Sequence, residues 1–162
     1  MPPDSAPPRA CAAEGHRGAL FRATATEAEV RRVLRAVDAW LQARAVPAAQ
    51  RGTVTLSLAE ALNNIVEHAC AACPDAGLTV RCRLSETEIR IELVDQGRPM
   101  TGGCVPRARK PAVTVPRPDL PEGGFGWFLI QDLAETISYA RRGGENHLHM
   151  TFPRGTDGSP QE

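Results

Sequence analysis

The chain has 162 residues, enough for one domain with a proper core. Its 19 basic and 19 acidic side chains balance, so no global field favours nucleic acid or a membrane surface. No apolar run approaches the ~20 residues of a membrane span, and "MPPDSAPPRACAAEGHRG" has no apolar core of the kind a signal peptide needs, so the expected location is cytoplasmic.

Residues 1–17 are rich in Pro and Ala and poor in large apolar groups, which predicts a disordered tail. Residues 153–162 read alike, leaving a folded domain at 18–152. "ALFRATA" (19–25) alternates weakly and suits an edge strand. Thr26 followed by Glu29 is a capping box. It opens a helix with Val30, Val33, Leu34, Val37 and Leu41 on one face. Pro47 interrupts, and a second helix is expected from near Thr53, burying Val54, Leu58, Leu62, Ile65 and Ala69. "LTVRCRL" (78–84) and "EIRIELV" (88–94) alternate with period two and form a hairpin through Ser85–Thr87.

"DQGRP" then makes a turn. Residues 100–122 hold five prolines and two glycines without periodicity, so a long loop is expected there. "GGFGWFLIQDLAETI" (123–137) reads as glycines leading into a helix, with Phe128, Leu129, Leu133 and Ile137 apolar. "SYARR" and "HLHMTF" flank Gly143-Gly144 and close the chain with a hairpin. The fold class expected is α/β: a two-layer sandwich of a mostly antiparallel, mixed sheet with helices on one face.

The five cysteines are Cys11, Cys70, Cys73, Cys82 and Cys104. An odd count in a chain of this size argues against a disulfide scaffold. Cys70-Ala-Ala-Cys73 stands without a second pair at zinc spacing, so ordinary reduced thiols are expected.

Three segments carry potential chemistry. In "LSLAEALNNIVEHA" (56–69), Glu60, Asn64 and His68 recur every four residues, about one helical turn. They run beside the apolar stripe. A carboxylate there can accept a proton and an amide oxygen can bind Mg²⁺. The same row also suits a solvated face with a Glu–His pair. Asp95, in "VDQGRP", ends a strand where Gly97 permits a sharp turn. It can accept from an exocyclic amine such as adenine's, or it is a plain Asp-x-Gly turn. "GGFG" offers backbone N–H groups at a helix start, where anions are favoured. It is neither a P-loop nor a full GxGxxG, and a flexible loop end explains it equally.

The order of these three segments resembles the GHKL ATPases, the superfamily of gyrase-type ATPases, Hsp90, MutL and histidine kinase catalytic domains. Within it, "EALNNIVEHA", "VDQGRPM", "EGGFGWFLIQDLAETISYAR" and the closing "NHLHM" look most like the anti-sigma factor serine/threonine kinases. The resemblance covers the whole expected folded part. It implies a Bergerat-type ATP-binding fold with ATP and Mg²⁺ as cofactors. It further implies Asn64 as Mg²⁺ ligand, Glu60 as general base and His68 near the phosphates. Asp95 would read the adenine amine, with Gly97 shaping that pocket. Gly124 and Gly126 would meet the phosphates beneath a lid at 100–122.

Three features depart from the pattern. Trp127 stands where the family usually has Leu. The last strand opens on Glu145-Asn146-His147 in place of Gly-Thr, so no adenine-binding residue carries over there. The lid is basic and proline-rich, "PRARKPAVTVPRP". The function implied is phosphorylation of a STAS-domain anti-anti-sigma factor, with binding of a sigma factor, commonly as a homodimer. The alternative is a non-catalytic ATP-binding module that sequesters a protein partner.

Overall fold

The computed structural model describes residues 18–73, 75–107 and 125–155. Strand β1 spans Gly18–Thr24 and leads into helix α1, Glu27–Gln42. Thr26 caps α1, its hydroxyl accepting from Glu29 N–H at 3.4 Å. The second half of the expected capping box is replaced. The Glu29 carboxylate takes Arg32 at 2.6 and 2.9 Å, a pairing that holds Glu29 below the usual carboxylate range against its partial burial. The predicted stripe is observed. Val30, Val33, Val37 and Leu41 are buried, with Leu34 at its edge. Full burial of such a side chain is worth about 1.5–3 kcal/mol.

Helix α2 runs Ala48–Asn64, so it begins five residues before the expected Thr53. Pro47 is its N-cap residue. There the missing N–H costs no helical bond, and the ring marks the start of the helix. Past Asn64 the helix continues as one π-turn, Ile65–Ala69, closed by Cys70 N–H on the Ile65 carbonyl at 2.8 Å.

Strands β2 (Gly77–Leu84) and β3 (Glu88–Asp95) form the expected hairpin. The Ser85 hydroxyl closes it by accepting from Glu88 N–H at 3.0 Å. A short 3₁₀ turn, Thr101–Gly103, follows. Helix α3 spans Phe125–Leu133 and is followed by β4 (Thr136–Arg142) and β5 (Glu145–Pro153). Ile137 is therefore in a strand, a correction to the helix expected through 137. The last helical bond is Ala134 N–H to Ile130, and Glu135 N–H already donates to Thr151 in the sheet. Ile130 is the fully buried residue of α3. Gly143 and Gly144 have φ of 57° and 85°, the left-handed pair that a two-residue hairpin turn needs.

The sheet order is β1-β2-β3-β5-β4, and every described pairing is antiparallel. The expected two-layer sandwich forms, with a wholly antiparallel sheet among the described residues in place of the mixed one expected, because each neighbouring pair of strands runs in opposite directions. Val80, Cys82, Ile89, Ile91, Leu93, Leu148, Met150 and Phe152 join Val33, Val37, Leu58, Leu62 and Ile130 in one core. Alternation sends Glu92, His147 and His149 to the opposite, open face. Pro153 still belongs to β5 and Arg154 N–H donates to the Thr87 carbonyl at 2.8 Å, so the C-terminal tail does not begin at 153 as expected. The expected tail at 1–17, residues 156–162 and most of the lid, 108–122, lie outside the described residues.

Candidate nucleotide site

Asp95 is the last residue of β3 and is 4% exposed. Its Oδ1 accepts from Gly97 N–H and from Asn146 Nδ2, each at 2.8 Å. Gly97 sits against the end of the π-turn. A Cβ there would lie 2.5 Å from the Ala69 carbonyl oxygen. Arg98 N–H donates to that same carbonyl at 2.8 Å. The turn after Asp95 therefore docks on the helix terminus, and only glycine permits the approach.

Asn146 organises the other side. Its Nδ2 also donates to the carbonyls of Arg98 at 3.0 Å and Gly97 at 3.3 Å. Its Oδ1 accepts from Tyr139 Oη at 2.6 Å and Arg141 at 2.7 Å. Met100 N–H reaches Tyr139 Oη at 3.1 Å. No motif assigns Asn146. A parity signal was nevertheless available, because it is the one amide in a register otherwise filled by Leu148, Met150 and Phe152.

These groups line a cavity of about 380 Å³. Asn64, His68, Asp95 and Asn146 are in its wall, with Met100, Trp127 and Tyr139 supplying apolar surface. His68 is on the exposed side of the π-turn. It nevertheless shares the cavity wall with Asn64, four residues earlier. Behind the wall, burial first, then the charge of Asp95, then Cys73 push the Cys70 thiol up.

Glu60 and Asn64 lie one turn apart on α2 beneath the start of α3. A Cβ on Gly126 would come 2.8 Å from Glu60 Oε2 and 3.7–3.8 Å from the Asn64 amide. Asn64 Nδ2 is buried with no hydrogen-bond partner among the described residues. Turning the amide exchanges its nitrogen and oxygen, which places an unused acceptor there. An amide oxygen near a carboxylate and a cavity suits Mg²⁺, which takes few protein ligands and relies on water and phosphate oxygens. The donor set fits. Gly124 lies outside the described residues.

A profile of the histidine kinase-like ATPase domain matches residues 23–152. The chain belongs to the histidine kinase-like ATPase domain family. Membership makes this an ATPase-type nucleotide-binding fold, as the resemblance implied. The chain is similar to the serine/threonine-protein kinase BtrW of Bordetella bronchiseptica. The two are 34% identical over 101 residues, covering 62% of this chain and 69% of that protein. Two solved structures share the fold. One contains the RsbU and RsbW domains of a Mycobacterium tuberculosis protein, with TM-score 0.56 and 15% identity over 82% of this chain. This chain spans 32% of that longer one. The other is the SiaB–SiaC complex of Pseudomonas aeruginosa, with TM-score 0.54 and 13% identity over 83% of this chain and 88% of that one. Among the described residues, no helix is long and apolar enough to cross a membrane.

Proposed function

We propose that the protein is an ATP-dependent serine/threonine protein kinase that acts as an anti-sigma factor on a STAS-domain anti-anti-sigma partner. The observation that carries this reading is the closeness of Glu60 and Asn64 to Gly126. It gathers a proton acceptor, a metal-ligand amide and a helix start at one point. A kinase relative at 34% identity supports the same class of reaction.

In this reading Asp95 accepts from the adenine amine through Oδ2, because both of its described bonds fall on Oδ1. Gly97 shapes that end of the cavity. His68 lies toward the phosphates, and Gly124 and Gly126 give them backbone N–H contacts. Asn64 holds Mg²⁺, which when bound neutralises phosphate charge. Glu60 takes the proton of the partner's serine or threonine hydroxyl. The hydroxyl oxygen bonds to the γ-phosphorus, the bond to the bridging oxygen breaks, and ADP leaves. Positioning and electrostatics supply most of such a barrier reduction. Sigma-factor binding and homodimer formation complete the proposal.

The test is radiolabelled phosphate transfer to STAS proteins of the same genome, for wild type and Glu60→Gln. Transfer should fall by about 10²–10⁴-fold in the variant, with ATP affinity nearly unchanged. Undiminished transfer would remove Glu60 as the base. A wild type that transfers to no STAS protein, yet binds ATP and a partner, would establish the sequestering module instead.

A further inference from the structure

The open face of the sheet carries a cluster that the nucleotide site does not use. Glu92 on β3 stands directly opposite His149 on β5, and His147 is two residues away on the same face. One donor atom from each lies within 4.8 Å of the others. His147 Nδ1 is 3.2 Å from Glu92 Oε1, and His149 Nε2 is 3.7 Å from that same oxygen.

We propose that Glu92, His147 and His149 form a Zn²⁺ site on the face of the sheet opposite the nucleotide cavity. Tetrahedral zinc holds N and O ligands at about 2.0–2.2 Å, which sets neighbouring donors roughly 3.4 Å apart. The two Glu92–His separations already bracket that spacing. Two imidazoles and a carboxylate also form a borderline donor set that suits zinc better than Mg²⁺. Sheet parity explains the convergence. Side chains two apart on one strand share a face, and the directly paired residue across the ladder completes the triangle.

The groups around the triangle are arranged as outer-shell supports. Arg81 donates to Glu92 Oε2 at 2.9 Å, leaving Oε1 for the metal. With Nδ1 toward Glu92, His147 turns Nε2 to Glu145 Oε2 at 3.8 Å. At that distance the carboxylate is a nearby charge and not a hydrogen-bond partner; a small rotation would bring it onto the far nitrogen, the place where outer-shell carboxylates orient ligating imidazoles. Ala140 on β4 and Val94 on β3 flank His147 in register, and neither offers it a competing polar side chain. The His149 side chain is 48% exposed, which leaves a solvent route and a fourth position for water.

The test is calorimetric titration of tag-free, fully reduced protein with ZnCl₂, paired with CoCl₂ spectroscopy. Wild type should bind one zinc. His149→Ala, His147→Ala and Glu92→Gln should each weaken binding by more than about tenfold, since loss of even an outer-shell partner typically costs 10–100-fold. Glu145→Gln should cost less than any of these. The cobalt form should show d–d bands without thiolate charge transfer, separating this site from Cys70 and Cys73. Circular dichroism checks that each variant is folded. Absence of zinc binding, unchanged affinity in folded His149→Ala and Glu92→Gln, or a thiolate spectrum would each overturn the proposal. The cluster would then be a plain Glu–His ion pair.

Discussion

Asp95 and Asn146 are register partners across β3 and β5, and the Asn146 amide donates to Asp95 Oδ1 at 2.8 Å. One oxygen of the carboxylate is thus occupied by the protein. The amide that occupies it also ties down the carbonyls of Gly97 and Arg98.

That pairing separates two substitutions. Asp95→Asn should weaken ATP binding strongly, because an amide that replaces the acceptor leaves a buried mismatch worth about 1–3 kcal/mol. Asn146→Ala should also lower stability by about 1–3 kcal/mol, since it strands Asp95, Tyr139 and Arg141 together. Calorimetry with ATP and urea unfolding of both variants would check this. Wild-type ATP affinity in Asp95→Asn would take Asp95 out of the pocket.

The two close-packed glycines should fail differently. An alanine methyl at Gly97 meets backbone, the Ala69 carbonyl, which cannot swing aside. Gly97→Ala should therefore destabilise the fold by about 1–3 kcal/mol. At Gly126 the nearest obstacle is the end of the Glu60 side chain. Gly126→Ala should leave the melting temperature close to wild type while displacing Glu60 and cutting phosphate transfer. Equal losses of stability in the two variants would contradict this distinction.

Metal removal addresses Asn64. ATP affinity should drop in EDTA for the wild type. In Asn64→Ala it should already be low and respond little to the chelator. An Asn64→Ala protein that still gains affinity on adding Mg²⁺ would place the metal elsewhere.

Among the described cysteines, Cys73 and Cys104 are exposed, whereas Cys70 and Cys82 are buried. Burial pushes the Cys82 thiol up to about 12. Iodoacetamide at pH 8 followed by peptide mass analysis should label Cys73 and Cys104 first, and Cys82 only on unfolding. The raised value also has a thermodynamic sign. The unfolded thiol ionises near pH 9 and the folded one does not. The stabilisation from Cys82 is thus complete below about pH 9 and declines as pH rises towards about 12. Rapid native labelling of Cys82 would contradict its placement in the core.

Much of this was legible because periodicity reports burial. The stripe of Val30, Val33, Val37 and Leu41 marks α1, and the alternation of 78–84 and 88–94 marks the hairpin. The misreadings share a cause. Ile137 continues the four-residue spacing from Leu133, so pattern alone extends the helix. The competing pull is β-branched Thr136-Ile137 entering a sheet whose partner strand lies further along the chain. Pro47 looks like an interruption until its position immediately before a helix is known. The roles of Gly97 and Gly126 concern close approach between distant segments, which no local pattern encodes. Strand parity could flag Asn146 as an amide on the core face, but not its role, since its five side-chain partners lie in two other stretches, 95–98 and 139–141.

The π-turn at Ile65–Ala69 has the character of an inserted residue absorbed without breaking the helix. Deleting one position from it, Val66 for instance, would restore ordinary winding, with four residues spanning the turn that five span here. The carbonyls of the wide turn, among them the Ala69 oxygen that anchors Arg98, would then point differently. The length of this segment acts as a spacer gauge. It sets where the helix stops, and so where the adenine-facing turn comes to rest. Evolution could therefore re-aim the pocket by adding or removing a single residue far from Asp95 in sequence, with every pocket side chain unchanged.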